Sequence, residues 1–211
     1  MSSPTAPDEA LTRYDVTRPR GVVLLLHGGT EQSASPVDGR SASWRRSAAM
    51  QRSITPRLAA DGVATWLLRY TLRGWNGGAP VADARAALRR LDAALPDVPV
   101  VLLGHSMGGR TAVHIADHPS VVGVVGLAPW FPPGEPTAAL AGKWLLAAHG
   151  SRDRITSPRA TRAYVERADA DGARATFRDA GPVGHYMFRR AAAWNDLAVE
   201  GCSTLLSRAR R

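Results

Sequence analysis

The chain has little that would tie it to an oxidising compartment or to a membrane. It contains one cysteine, Cys202, which cannot form an internal disulfide and lies in a helix-like tail, so we interpret it as a packing residue. No apolar run reaches the roughly 18 residues of a membrane span. The first residues, MSSPTAPDEALTRYDV, lack the apolar stretch of a secretory signal. We therefore expect a cytoplasmic protein with no membrane span.

Lysine is nearly absent as well. Lys143 is the only one, so arginine supplies almost all of the positive charge behind the formal net charge of +9. A basic chain can bind nucleic acid or anionic lipid. Here the arginines are scattered, and the alanine-rich composition favours a GC-rich genome over a selected phosphate-binding surface. We predict no nucleic-acid partner, and the sequence indicates no particular oligomeric state.

The chain contains many short apolar runs, several of which end in glycine. Such runs predict strands buried on both faces, which are typical of a parallel sheet. The predicted strands are 21–29, 63–70, 99–106, 121–130, 143–150 and 174–179. The predicted helices between and after them are 44–60, with a possible kink or break at Pro56, and 80–95, 107–118, 158–172 and 189–207.

This alternation of strands and helices predicts an α/β fold with a mostly parallel central sheet and helices on both faces. The length of 211 residues suits one domain with one core. We assign residues 1–19 to an N-terminal arm or edge strand and residues 20–211 to a single domain.

The stretch GHSMGG, residues 104–109, lies where a predicted buried strand meets a predicted helix. That placement is the structural condition for a nucleophile elbow, in which a serine on a sharp turn projects its hydroxyl above the sheet. Neighbours two residues away crowd such a turn, so the missing Cβ atoms of Gly104 and Gly108 relieve the crowding. Ser106 is therefore a candidate nucleophile rather than an ordinary turn residue.

A serine nucleophile needs a base, and the base needs an acid. Of six histidines, His185 lies in a loop after the last predicted strand, from which it can reach the top of the sheet. Asp153 follows another predicted strand, and loops at the carboxyl ends of parallel strands share one rim. We predict Asp153 as the acid and keep Asp179, which also ends a strand, as the second choice.

The oxyanion of an acyl transfer needs preorganised N–H donors. We predict the N–H of Met107, the residue after the nucleophile, as one donor. The second donor is expected from the glycine-containing turn after the first long strand, with Gly29 favoured over Thr30.

The chain contains four motifs in this order: LLLHGG, GHSMGG, HGSRDRIT and GHYMF. On the basis of these motifs, the chain resembles the α/β-hydrolase superfamily over about residues 20–207. The resemblance implies a serine hydrolase that acts through an acyl-enzyme and needs no metal or organic cofactor. It carries Ser106 over as nucleophile, His185 as base, Asp153 as acid, and Gly29 with Met107 as oxyanion donors.

The chain departs from larger members of that superfamily at residues 130–142, where a cap domain often lies. This segment is a short proline-rich loop, so we expect no large lid. In size the chain is similar to compact carboxylesterases, lysophospholipase-like enzymes and dienelactone-hydrolase-like proteins. The last group typically uses a cysteine nucleophile, whereas this chain has a serine.

Aromatic and sulfur-containing residues flank the predicted rim loops and are candidates for the substrate pocket or for ordinary packing. They are Trp75, Trp130, Phe131, Tyr186 and Met187. Three arginines, at positions 73, 110 and 152, are weaker candidates for meeting an anionic substrate group.

The sequence thus predicts an enzyme that cleaves a small carboxylic ester or thioester. Two alternatives remain open. The same fold and triad can serve another acyl-transfer reaction, such as perhydrolysis or amide cleavage. The chain can also be a ligand-binding pseudoenzyme without turnover.

Overall fold

A computed structural model of the chain describes residues 10–187 and 190–209. Residues 1–9 of the predicted N-terminal arm lie outside the described residues. The strands are β1 (Leu11–Tyr14), β2 (Gly21–Leu26), β3 (Val63–Leu68), β4 (Val100–His105), β5 (Val121–Leu127), β6 (Trp144–His149) and β7 (Arg174–Asp179). The α-helices are α1 (Ala42–Ala60), α2 (Ala79–Ala94), α3 (Met107–His114), α4 (Pro158–Ala170) and α5 (Ala191–Arg208).

The seven strands form one sheet in the order β1-β3-β2-β4-β5-β6-β7. Strands β2 to β7 are parallel to their neighbours, and β1 pairs antiparallel with β3 at one edge. The predicted α/β fold with a mostly parallel sheet is confirmed. Because the strands are parallel, the loops that follow β2, β4, β6 and β7 leave the sheet at the same rim.

Helices cover both faces of this sheet. Apolar residues of α2, α3 and α4 pack into one core cluster, and those of α1 and α5 pack into the other. The strands β2, β3 and β4 are buried along their whole length, which explains their unbroken aliphatic sequences. Cys202 is fully buried in α5. None of the described helices is both long and apolar enough to cross a lipid bilayer.

Helix α1 runs through Pro56 without a break, so a split at this proline was wrong. A proline inside a helix removes one backbone hydrogen bond and crowds the preceding turn. Ile54 and Leu58, on either side of it, are both fully buried, and their packing against the sheet offsets that cost. Helix α3 also ends earlier than expected, at His114 rather than at residue 118.

Candidate active site

Ser106 occupies the sharp turn between β4 and α3. Its backbone has φ 55° and ψ −119°, a positive-φ conformation that residues other than glycine rarely adopt. Backbone strain of this kind is concentrated at functional sites. A Cβ at Gly104 would collide with the backbone of Gly108, and a Cβ at Gly108 would collide with the carbonyl oxygen of Leu26. The two glycines therefore let the turn close and let α3 begin directly against β2.

The structure brings Ser106, His185 and Asp153 together in one hydrogen-bonded row. Ser106 Oγ lies 3.0 Å from His185 Nε2, and His185 Nδ1 lies 2.8 Å from Asp153 Oδ2. Because a carboxylate can only accept, the Nδ1–H of His185 donates to Asp153, and Nε2 is left to accept the serine proton. All three side chains are buried or nearly so, with Ser106 only 7% exposed.

Asp179 does not reach this row. Its side chain is exposed at the end of β7 and accepts a hydrogen bond from the backbone N–H of Gly181 at 2.7 Å. It therefore closes a local turn, and Asp153 is the carboxylate that contacts His185.

Asp153 is held in its charged form by many donors. Burial by itself would raise its pKa, but hydrogen bonds from His149 and His185 and from the backbone N–H groups of Thr156 and Ile155 outweigh it. The pKa of Asp153 therefore lies well below its usual range. The carboxylate remains an anion beside His185 throughout the neutral pH range.

His149 and Thr156 also contact Asp153, and the sequence analysis did not assign either of them to the site. His149 Nε2 lies 3.0 Å from Asp153 Oδ2, and its Nδ1 lies 2.8 Å from Thr161 Oγ1. Thr156 Oγ1 lies 3.0 Å from the same carboxylate oxygen. The sequence signal that could have found them is their spacing, because His149 precedes Asp153 by four residues and Thr156 follows it by three.

Two more buried histidines, His27 and His105, hydrogen-bond to backbone groups near the site. Burial lowers the pKa of His27 to about 4, although a hydrogen bond to the Gly28 carbonyl opposes this. His27 Nε2 accepts the backbone N–H of Tyr70 at 3.2 Å, so this ring is neutral. Burial, and then the proximity of His185, lower the pKa of His105 to about 3. His105 Nε2 donates to the backbone carbonyl of His185 at 3.0 Å, which anchors the loop that carries the base.

The predicted oxyanion donors differ in whether their N–H already has a hydrogen-bond partner. The N–H of Thr30 donates to the carbonyl of Arg73 at 3.1 Å, so the suggestion of Thr30 as an alternative donor was wrong. Among the described residues, no partner accepts from the N–H of Gly29 or of Met107. A Cβ at Gly29 would collide with the side chain of Met107 and with the Arg73 carbonyl, so only glycine fits there.

A cavity of about 240 Å³ opens beside Ser106. The turn after β2, the start of α1, the turn at Ser106 and the loop that carries His185 all contribute to its walls. The lining residues are Gly28, Gly29, Thr30, Ala42, Ser43, Arg46, Arg73, His105, Ser106, His185 and Tyr186. Of the predicted substrate residues, Tyr186 is therefore in the wall.

Trp75, Trp130, Phe131 and Met187 are not among the residues that line this cavity. Trp75 and Trp130 instead pack their rings against the guanidinium of Arg110, at 4.0 and 4.6 Å. The rings are held there because Arg110 is itself fixed by an ion pair with buried Glu135 at 2.7 Å.

Phe131 stacks on Tyr164 with ring centroids 4.0 Å apart. Met187 lines a second, larger cavity of about 620 Å³ between α1 and the start of α5. Ala42 and Arg46 line both cavities, so the two spaces adjoin.

No group of three histidine, cysteine, aspartate or glutamate side chains suited to a metal ion occurs within residues 10–187 and 190–209. At the rim of the sheet, the carboxylate of Asp153 instead forms hydrogen bonds with the imidazoles of His149 and His185.

Comparison with known proteins agrees with this fold. A model of the alpha/beta hydrolase family matches residues 23–209. No curated protein matches the sequence. Among solved structures, an alpha-beta serine hydrolase homologue from Coxiella burnetii is similar with a TM-score of 0.69 and 17% identity, covering 90% of each chain.

Two further structures share the fold at similarly low identity. The butyrate-bound esterase Est2 from Thermogutta terrifontis has a TM-score of 0.67 and 19% identity, over 93% of this chain and 88% of that one. A serine hydrolase without a lid, XC6422 from Xanthomonas campestris, has a TM-score of 0.66 and 16% identity, over 92% and 88%. The chain thus has the architecture of compact hydrolases that lack a cap domain.

Proposed function

This chain belongs to the alpha/beta hydrolase family, and from that premise we propose that it is a serine hydrolase that cleaves carboxylic esters or thioesters through an acyl-enzyme. One observation carries the proposal: Ser106, His185 and Asp153 form an unbroken hydrogen-bonded row, and Ser106 and His185 line a cavity whose wall also includes Gly29. Est2 from Thermogutta terrifontis, an esterase of the same fold with butyrate bound, supports the ester class.

The first half-reaction follows from this row. Ser106 Oγ attacks the carbonyl carbon while its proton passes to His185 Nε2. The positive charge that forms on the imidazole is stabilised by the Asp153 carboxylate. The negative charge that forms on the carbonyl oxygen is stabilised by the N–H groups of Gly29 and Met107. The bond to the alkoxide or thiolate then breaks, and His185 returns the proton to that leaving group.

The second half-reaction uses the same groups with water as the nucleophile. His185 accepts a proton from water as the water oxygen attacks the acyl carbon. The bond between the acyl carbon and Ser106 Oγ breaks, and the serine recovers its proton from His185. The carboxylic acid product leaves and the free enzyme is restored.

Covalent labelling tests the activation of Ser106. We expect a fluorophosphonate probe to add one adduct to the wild type, measured by intact-protein mass, and none to Ser106→Ala. Ser207→Ala, an exposed serine at the end of α5, is the matched control and is expected to label like the wild type. Absence of an adduct on correctly folded wild type would contradict the proposal and favour a ligand-binding protein without turnover. A panel of matched esters, thioesters and amides then separates ester cleavage from other acyl transfers.

A further inference from the structure

Two arginine side chains line the cavity beside Ser106. They are Arg46 of α1 and Arg73 of the loop after β3. Among the described residues of its lining, none is an aspartate or a glutamate. Ala42 and Ser43, in the first turn of α1, add the positive end of a 19-residue helix to the same wall.

Arg73 keeps donors that the protein does not use. Its Nη2 reaches Ser41 Oγ at 3.4 Å, and its buried Nε has no hydrogen-bond partner within the described part of the chain. The Oδ1 atom of Asp38 accepts hydrogen bonds from the Ser41 hydroxyl and from the backbone N–H of Arg40. No ion pair between Asp38 and Arg73 is present among the described residues.

The backbone of Arg73 is fixed to the turn after β2. Its carbonyl accepts the N–H of Thr30, and its N–H donates to the carbonyl of Ser35 at 2.9 Å. The backbone that carries this guanidinium is therefore attached to the turn that contains Gly29, and the side chain lines the same cavity as that turn.

Arg46, on α1, lines the same cavity. Its guanidinium lies 4.9 Å from the ring centre of Tyr186, the residue that follows His185. Burial lowers the pKa of Arg46.

We infer that Arg46 and Arg73 bind a carboxylate carried by the substrate close to its scissile carbonyl, so that the preferred substrates are anionic esters. The inference rests on the proposed ester hydrolysis. Guanidinium groups bind carboxylates through paired, charge-assisted hydrogen bonds, which are about twice as strong as neutral ones. The adjoining cavity of about 620 Å³, with Trp44, Met187 and Trp194 in its wall, is suited to the apolar part of the same substrate.

Two matched pairs of esters test the inference and locate the carboxylate. The first pair places the charge in the acyl group: the 4-nitrophenyl half-ester of glutaric acid against 4-nitrophenyl pentanoate. The second pair places it in the alcohol: 4-acetoxybenzoate against its methyl ester. For one pair we expect a kcat/KM ratio of anionic to neutral substrate of at least about tenfold.

Arginine variants show whether these two residues cause the preference. Arg73→Gln and Arg46→Gln are each expected to reduce the ratio about tenfold, and Arg73→Lys to reduce it less because the charge remains. Arg89→Gln removes the same charge from an exposed position on α2 and is expected to leave the ratio unchanged. Each ratio is measured within one protein preparation, so partial misfolding of a variant cancels.

The outcomes separate this inference from the proposed function. If the wild type cleaves neutral esters in a Ser106-dependent manner but neither pair shows an arginine-dependent preference, anion binding is overturned and ester hydrolysis stands. If no ester is cleaved and no phosphonate adduct forms, the proposed function fails and the inference fails with it.

Discussion

At the scale of single residues, the carboxylate of Asp153 is the most heavily bonded group of the site. One of its oxygens meets His185, His149 and Thr156, and the other accepts two backbone N–H groups. Such a carboxylate cannot rotate or take up a proton near neutral pH, so His185 is presented to Ser106 in one tautomer. Neutral His105 and His27 extend this fixation to the backbone of His185 and of Gly28, respectively.

The two candidate acids can be separated by the same substitution. Asp153→Asn is expected to lower kcat by about 10³-fold to 10⁴-fold, because the amide no longer stabilises the imidazolium and favours the wrong histidine tautomer. Asp179→Asn changes an exposed turn residue and is expected to retain nearly full activity. Initial rates on 4-nitrophenyl butyrate measure both, with circular dichroism spectra to verify folding. Equal losses in the two variants would contradict the assignment of Asp153.

At the scale of secondary-structure elements, the close contact between α3 and β2 positions Ser106 at the end of the sheet. Gly108 lies so close to the end of β2 that its missing Cβ is a packing requirement. The loop at residues 130–142 then passes beside α3 and is fastened by Glu135, which pairs with Arg110 and His114. A short fastened loop therefore stands where larger relatives place a cap domain.

Gly108→Ala is predicted to lower the free energy of unfolding by at least about 2 kcal/mol, because α3 must move away from β2 to admit the methyl group. Gly39→Ala is the control, since no atom lies within 4 Å of a Cβ built there. Urea denaturation followed by tryptophan fluorescence measures both. A Gly108→Ala variant as stable as the control would show that the close approach is not needed.

At the scale of the whole molecule, two buried imidazoles link folding to pH. The pKa values of His27 and His105 lie at about 4 and about 3, below the ordinary value of 6.5. The unfolded chain therefore binds more protons than the folded one as the pH falls below about 6.5. The stability contributed by these groups is present above that pH and is lost on acidification.

We expect the free energy of unfolding to decrease between pH 7 and pH 5, with a slope that approaches about 1.4 kcal/mol per pH unit for each of the two histidines. Urea denaturation at several pH values gives the slope. His105→Gln is expected to remove the contribution of one proton from it. A flat stability profile over this range would contradict the burial of two neutral imidazoles.

Local sequence was sufficient for several parts of this protein. Unbroken aliphatic runs predict buried parallel strands, because only a sheet covered on both faces tolerates them. The strand, turn and helix around Ser106 were predictable too, because Gly104 and Gly108 act on neighbours a few residues away. The order of the strand-end loops then indicated that Asp153 and His185 share a rim with Ser106.

Tertiary structure decided whatever depends on segments far apart in the chain. It commits the N–H of Thr30 to Arg73, packs Trp75 and Trp130 on Arg110, and places His149 on Asp153. It also brings Arg46 and Arg73 from separate elements to one cavity. Periodicity and turn chemistry report short-range sterics, whereas which donors remain free and which charges meet is settled only when distant segments pack.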